Sequence, residues 1–435
     1  MTLLTTRRTL LATVAALAMT TALSAPVAAQ DVTLTYLIDN NANTIVTAEQ
    51  MVKEFEAANP GIKIALETRP GGTDGDNIIK TRLATGEMTD LFLYNTGSLF
   101  QAINPTQNLV PLTDEAWQSE ILDSFKITVT GTDGNVYGSP IGAAMGGGIL
   151  YNIPIYKELG LTPPKTWAEF MANNEKIKAA GKTAVIQSFG VGSTWTSQLF
   201  VLGDFFNVQA AVPNFAADYT AGKQKYATTP AAVKGFQYGE DVFKGGYLNE
   251  DFAVATFEEA VVKLATGEGA HYPMLTFAVS TIQTLSPENV GNVGFFAIPG
   301  DDAAKNGLTV WTPAGVYIPK TSQHPEEAKK FLAFMSSIRG CDIQTESAGA
   351  SGPYVVKGCT LPADVPPAVA DLLPYFQQEG TTAPALEFVS PIKGPNLEQI
   401  TVEVGSGIRP AAEAAALYDE DVRKQAMQLG LPGWN

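Results

Sequence analysis

Cysteine and histidine are almost absent from this chain of 435 residues, which has two of each: Cys341 and Cys359, His271 and His324. With no paired-cysteine motif and so few imidazoles, a structural zinc site has no ligands to use. Positive charge is also scarce, 28 Lys and Arg against 44 Asp and Glu, for a formal net charge of −16. A chain this acidic repels nucleic acid and anionic membrane surfaces, which argues against both as partners. Beyond the N-terminal stretch, no run approaches the roughly 18 apolar residues of a membrane helix.

The N-terminus carries Arg7-Arg8, an apolar run from Leu10 to Leu23, and then Ala25-Pro26-Val27-Ala28-Ala29. This pattern is expected to be a secretory signal peptide, residues 1–29, cut after Ala29. "TRRTLL" loosely resembles a twin-arginine signal, but paired arginines also occur in ordinary export signals, so both routes stay open. Cleavage removes two arginines and no acid, taking the charge from 28 − 44 = −16 to 26 − 44 = −18. In an oxidising compartment Cys341 and Cys359 can form a disulfide, which over a loop of this length contributes about 3 kcal/mol. The alternative is two buried free thiols. The remaining chain, 45% hydrophobic, is long enough for two ordinary domains.

Periodicity points to an α/β fold. "VTLTYLI" alternates as a strand, Ala48, Met51, Val52 and Phe55 recur at helical spacing, and "IKIALE" follows "ANPG" as a second strand. Strand, helix, strand implies parallel pairing. A helix over 77–86 and a buried strand in "TDLFLYN" continue the pattern. Residues at the carboxyl ends of such strands line the crevice of an open α/β sheet, here Asp39, Asn40, Asn41, Asn95 and Thr96, although short polar residues also serve as loop formers. Farther on, Thr166 and Glu169 form a capping box for a helix stopped by Gly181, and "TAVIQSF" reads as the next strand. "AGVYIPK" is a late strand, followed by a helix in "HPEEAKKFLAFMSS" with Pro325 at its first position.

Gly146-Gly147-Gly148 in "VYGSPIGAAMGGGILYN" suggests a phosphate loop, but no Lys-Ser or Lys-Thr pair follows and the glycines run into a strand. "GGTDGDN" suggests calcium, but Ile78 stands where that pattern needs a ligand.

In order and spacing, "VYGSPIGAAMGGGILYN", "YKELGLTPPKTWAEF", "LATGEGAHYPMLTFAVSTI", "VGFFAIPG" and "WTPAGVYIPKTSQHPEEAKKFLAFM" together resemble one family. It comprises the extracellular solute-binding proteins of ABC importers, in the sugar-binding cluster that includes the maltose-binding proteins. The resemblance runs from about Val32 to Gln425. It implies a periplasmic-binding-protein fold, two α/β lobes joined by crossing hinge segments with a ligand cleft between them. Lobe 1 would hold 30–140 plus 308–352, and lobe 2 would hold 141–307 plus 353–435. The segment after Pro140 would be the first crossing, with Pro140, Gly146, Gly147 and Gly148 as its hinge.

The resemblance further implies a periplasmic, monomeric, non-enzymatic protein without cofactor or metal. It would capture a carbohydrate ligand and deliver it to the membrane permease subunits of an ABC importer. Sugars offer hydroxyls to planar polar groups and C–H faces to aromatic rings. Asp39, Asn40, Asn41, Asn95 and Thr96 would then make polar contacts, with Asp74 reaching in from a loop. Phe277 falls where the family commonly has a stacking aromatic, often Trp. Trp195, Trp311 and Tyr354 are the other expected ring contacts, each against the plainer role of core packing. Trp117 and Trp167 are expected to be packing residues. Two other functions stay open. A secreted glycoside hydrolase would need two carboxylates at fixed separation, and no motif marks such a pair. The same fold could also carry a different cargo.

Overall fold

The computed structural model describes residues 31–434, so the expected export signal lies outside the described residues. Two β-sheets organise the chain. In the first, β1 (Val32–Asp39) pairs in parallel with β2 (Ile62–Arg69) and β3 (Leu91–Tyr94). Helices Ala42–Ala58 and Gly72–Thr85 make the two crossovers. Parallel strands need such crossovers, and helices on both faces explain the continuous apolar character of β3, all four of whose residues are buried. One face packs Leu34, Tyr36 and Ile38 against Met51, Phe55, Phe331 and Leu332, and the other packs Leu37 and Phe92 against Phe100 and Tyr317. Each such burial contributes about 1.5–3 kcal/mol.

The sheet is completed by β4 (Gly138–Pro140) and, far along the chain, β10 (Gly315–Tyr317), which lies antiparallel between β3 and β4. β10 leads into helix Pro325–Met335, whose Ala328, Phe331, Leu332 and Met335 are buried as their spacing predicts.

The second sheet runs β11-β9-β5-β7-β6, with β8 also on β5. Its strands are β5 (Met145–Asn152), β6 (Thr183–Val185), β7 (Gly269–Leu275), β8 (Val293–Ala297), β9 (Leu308–Trp311) and β11 (Thr382–Pro384). Helix Trp167–Ala179 carries the capping box: Thr166 Oγ1 accepts from Glu169 N at 3.2 Å, and Glu169 Oε2 accepts from Thr166 N at 3.2 Å. Trp167 packs in the core beneath it, and Trp117 packs against the first sheet's core.

Between the sheets the chain crosses along Ile141–Ala144 and returns along Thr312–Ala314. Ile141 N donates to Ala314 O at 2.9 Å, so the two crossings lie side by side. A third strand of chain joins them where Tyr354 bridges Ala143. Cys341 and Cys359 are disulfide-bonded, with Cα atoms 6.2 Å apart.

Two expectations need correction. Leu308–Trp311, assigned to the first lobe, pairs with β5 and β11 in the second sheet, so the return starts after Trp311. Gly146, Gly147 and Gly148 are not at the crossing. They lie inside β5, paired with β7, β8 and β9, and all three are buried. Their missing side chains serve packing: a Cβ on Gly147 would stand 2.2 Å from the Trp311 ring, one on Gly146 2.5 Å from Leu372 Cδ1, and one on Gly148 2.4 Å from Phe296 O. Gly142, with φ +125°, is the glycine that the crossing itself uses. Pro140 ends β4 immediately before it.

Candidate functional site

A cavity of about 430 Å³ opens between the two sheets, bordered by the carboxyl ends of β1, β2 and β3 on one side. Strand ends of an open parallel sheet point their following loops into one crevice, and this geometry brings Asp39, Asn41, Asn95 and Thr96 to the wall. Asn41 N donates to Asp39 Oδ1 at 3.0 Å, fixing the carboxylate at the start of helix Ala42–Ala58. The backbone carbonyl of Asn95 accepts from Tyr317 Oη at 3.0 Å, which sets the turn that carries its amide. Thr96 is used differently: its hydroxyl bonds Thr312 Oγ1 at 2.8 Å and reaches Pro313 O at 3.2 Å, pinning the returning crossing.

The opposite wall is aromatic. Trp195 and Phe277 lie with ring centroids 6.0 Å apart and planes 31° from each other, and Phe257 backs both, at 5.3 and 5.5 Å. Trp311, 5% exposed, lies over Gly147, and its indole Nε1 donates to Glu387 Oε1 at 2.5 Å. Tyr354 lines the crossing end and its hydroxyl bonds that of Thr345.

Two expected contacts fall elsewhere. Asn40 is exposed and does not border the cavity, because the chain turns there into the helix that begins at Ala42. Asp74 is exposed on helix Gly72–Thr85 rather than in a loop. The helix turns Thr73, Asp76, Asn77 and Lys80 inward, and Asp74, two positions before Asp76, lies about 200° around the helix axis from it.

Charged groups that sequence reasoning passed over complete the wall: Arg69, Asp76, Lys80, Glu387, Lys393 and Glu398. Arg69 ends β2, so the strand-end rule that found Asp39 and Asn95 applies to it equally. Its guanidinium donates to Pro70 O at 3.0 Å and Leu93 O at 3.1 Å. Burial pushes the Asp76 carboxyl above its usual value, partly offset by the positive charges of Lys80, Lys393 and Arg69. Lys393 Nζ lies 3.1 Å from Glu387 Oε2, both side chains being largely buried. No sequence signal pointed to Glu387, Lys393 or Glu398, which come from the C-terminal region and meet the cleft only through the tertiary fold.

Contacts from both sides close the cavity. Thr73 Oγ1 donates to Glu398 Oε2 at 3.1 Å and Thr281 Oγ1 to Asn43 Oδ1 at 2.9 Å. Gly97, at φ +69°, lies so near Glu387 that an added Cβ would be 2.4 Å from its carbonyl oxygen. Among the described residues no group of His, Cys, Asp and Glu is arranged to hold a metal ion, and no helix is long and apolar enough to cross a membrane.

Flat rings and planar acceptors and donors line one cavity between two linked α/β units, the kind of concave, mixed polar and apolar surface that binds a small polar solute. Residues 41–340 match the family described as bacterial extracellular solute-binding protein, and the chain belongs to that family of binding proteins, not enzymes. It is 27% identical over 324 residues to the multiple sugar-binding protein of Streptococcus mutans, covering 72% of each chain. Over 298 residues it is 24% identical to the melibiose/raffinose/stachyose-binding protein of Bacillus subtilis, covering 67% of this chain and 66% of that one. Among solved structures, a chitin oligosaccharide binding protein superposes with a TM-score of 0.78 at 24% identity, covering 91% of this chain and 99% of the other. A binding protein in complex with raffinose superposes with a TM-score of 0.73 at 20% identity, covering 92% and 99%. These structural likenesses establish the periplasmic-binding-protein fold.

Proposed function

We propose that the protein captures a sugar, glycoside or short oligosaccharide in this cleft and delivers it to the membrane permease subunits of an ABC importer. The observation that carries the reading is the pairing of the Trp195, Phe277 and Trp311 rings with Asp39, Asn41, Asp76 and Asn95 around one enclosed cavity. Ring faces take the C–H faces of a pyranose while carboxylates and amides take its hydroxyls. That two of its relatives are a multiple sugar-binding protein and a melibiose/raffinose/stachyose-binding protein points the same way. Lobe 1 is built on 31–140 with 312–352 and lobe 2 on 141–311 with 353–434. They rotate about Ile141–Ala144, Thr312–Ala314 and the strand of chain through Tyr354, a hinge closure that desolvates the ligand. The protein acts as a monomer in the periplasm after removal of the signal peptide.

The test is a thermal-shift and calorimetric screen of the mature protein against mono-, di- and trisaccharides, raffinose and a chitin disaccharide among them. A ligand at a hundred times its Kd stabilises by about 2.7 kcal/mol, a readily measured shift. Saturable stabilisation with the saccharide recovered intact is expected. Absence of any saccharide response, or turnover of the ligand by the pure protein, overturns the reading.

A further inference from the structure

The disulfide closes a ring of chain, and that ring is one wall of the cleft. Gln344, Ala348, Gly349, Ser351 and Tyr354, all between Cys341 and Cys359, border the cavity. The first arm of the ring, from Cys341, belongs to helix Ile338–Ala348, which is held to helix Ala42–Ala58 just before the ring by Arg339 Nε on Glu54 Oε2 at 2.8 Å. Its second part leaves that helix and runs along the crossing: Ala144 N donates to Pro353 O at 2.6 Å and Val355 N to Gly142 O at 3.4 Å. Ser280 Oγ, from the aromatic side of the cleft, donates to Gly349 O at 3.2 Å. The ring thus touches both sides of the cavity and the segment about which they would turn. Within the ring, the described side-chain bond between its two arms is the hydroxyl pair of Thr345 and Tyr354. The cystine shares one apolar cluster with Ile121, Ala143, Tyr354, Val355 and Val356.

We propose that the Cys341–Cys359 cystine is a positioning element for the ligand site: it holds Tyr354 and the 344–351 wall in the shape that the ligand meets. Preorganisation of this kind removes an ordering cost from binding and shows itself mainly in slower dissociation. The inference rests on the sugar-capture reading for its ligand, although the wall it concerns can be observed without one.

The experiment compares the wild type with Cys341→Ala/Cys359→Ala, Tyr354→Ala and the triple variant. Raffinose and a chitin disaccharide serve as probes, and amide hydrogen exchange is followed across 142–144 and 349–356. Loss of the cystine is expected to weaken binding about tenfold, chiefly through faster dissociation. Tyr354→Ala is expected to cost much less in the cystine-free background than in the wild type, because coupled residues are not additive. Exchange of the Ala144 and Val355 amides is expected to accelerate. Additive losses, or unchanged exchange in these segments, overturn the proposal. If the wild type binds neither probe, the sugar reading fails for both while the exchange measurement still decides the role of the cystine. Should the alanine pair fail to fold, the wild type reduced at low temperature with a water-soluble phosphine takes its place, since Cys359 lies between exposed Gly358 and Thr360.

Discussion

The indole of Trp311 is held by both edge and face: Nε1 donates to Glu387 Oε1 at 2.5 Å while the six-membered ring covers Gly147. A ring fixed in this way loses no rotamer freedom when a ligand packs on it, but its N–H is already committed. Trp311→Ala is therefore expected to weaken saccharide binding by about 2 kcal/mol or more, as for a buried aromatic anchor. Trp311→Phe, which keeps a face but removes the indole donor from Glu387 Oε1 while Lys393 stays on Oε2, should fall between the wild type and Trp311→Ala. Titration calorimetry on the saccharide found in the screen measures both, and unchanged affinity in Trp311→Ala removes the ring from the site.

Gly147→Val tests the strand role of the glycine run. With a Cβ 2.2 Å from the Trp311 ring, the valine must push the indole out of place. Overpacking of this kind costs about 1–3 kcal/mol, and the displaced indole should lower ligand affinity as well. A melting temperature and affinity equal to the wild type would contradict the packing account.

Asp76 and Asp74 make an internal control on one helix. Asp76→Asn, at the cavity wall, is expected to weaken ligand binding about tenfold, the scale of a hydrogen bond to a charged group. Asp74→Asn, exposed and turned away, should bind as the wild type does. Equal effects of the two substitutions would remove the helix-face assignment.

His271 gives a pH dependence of stability independent of any ligand. It is fully buried with its Nε2 2.7 Å from Tyr156 Oη, and burial lowers its pKa from 6.5 to about 3. Between those values the unfolded chain binds a proton that the folded chain does not, so this contribution is complete above pH 6.5 and is lost as pH falls toward 3. The slope approaches 1.4 kcal/mol per pH unit. Carboxylates titrate over the same range, so the readout is a difference: chemical denaturation of the wild type and His271→Gln at several pH values should show a shallower acid loss in the variant. Parallel curves would sink the prediction.

Much of the first sheet was legible because its strands and helices are local and strongly periodic: β1, helix Ala42–Ala58 and β2 follow one another within short range. The capping box at Thr166 and Glu169 was equally plain, being a contact over three residues. Gly146 to Gly148 misled because a glycine run has the same appearance whether it frees the backbone or admits a ring, and only the position of Trp311 distinguishes them. Asp74 misled through helical phase, an error of two residues on a helix that starts earlier than expected. Glu387, Lys393 and Glu398 were out of reach, since nothing local records that the C-terminal region returns to the cleft.

The place of β10 in the first sheet has a consequence for how the molecule is made. β3 is apolar and buried along its whole length, yet the edge on which Gly315 pairs with Tyr94 stays open until the late residues arrive. A nascent or threaded chain that has delivered only its first three strands presents that edge to any neighbour able to add a strand, the geometry by which sheets aggregate. Contacts so distant in sequence also form slowly. Fragments that end before Gly315 are therefore expected to self-associate through that edge, and the chain to gain from being kept apart from its own kind until its second half has arrived.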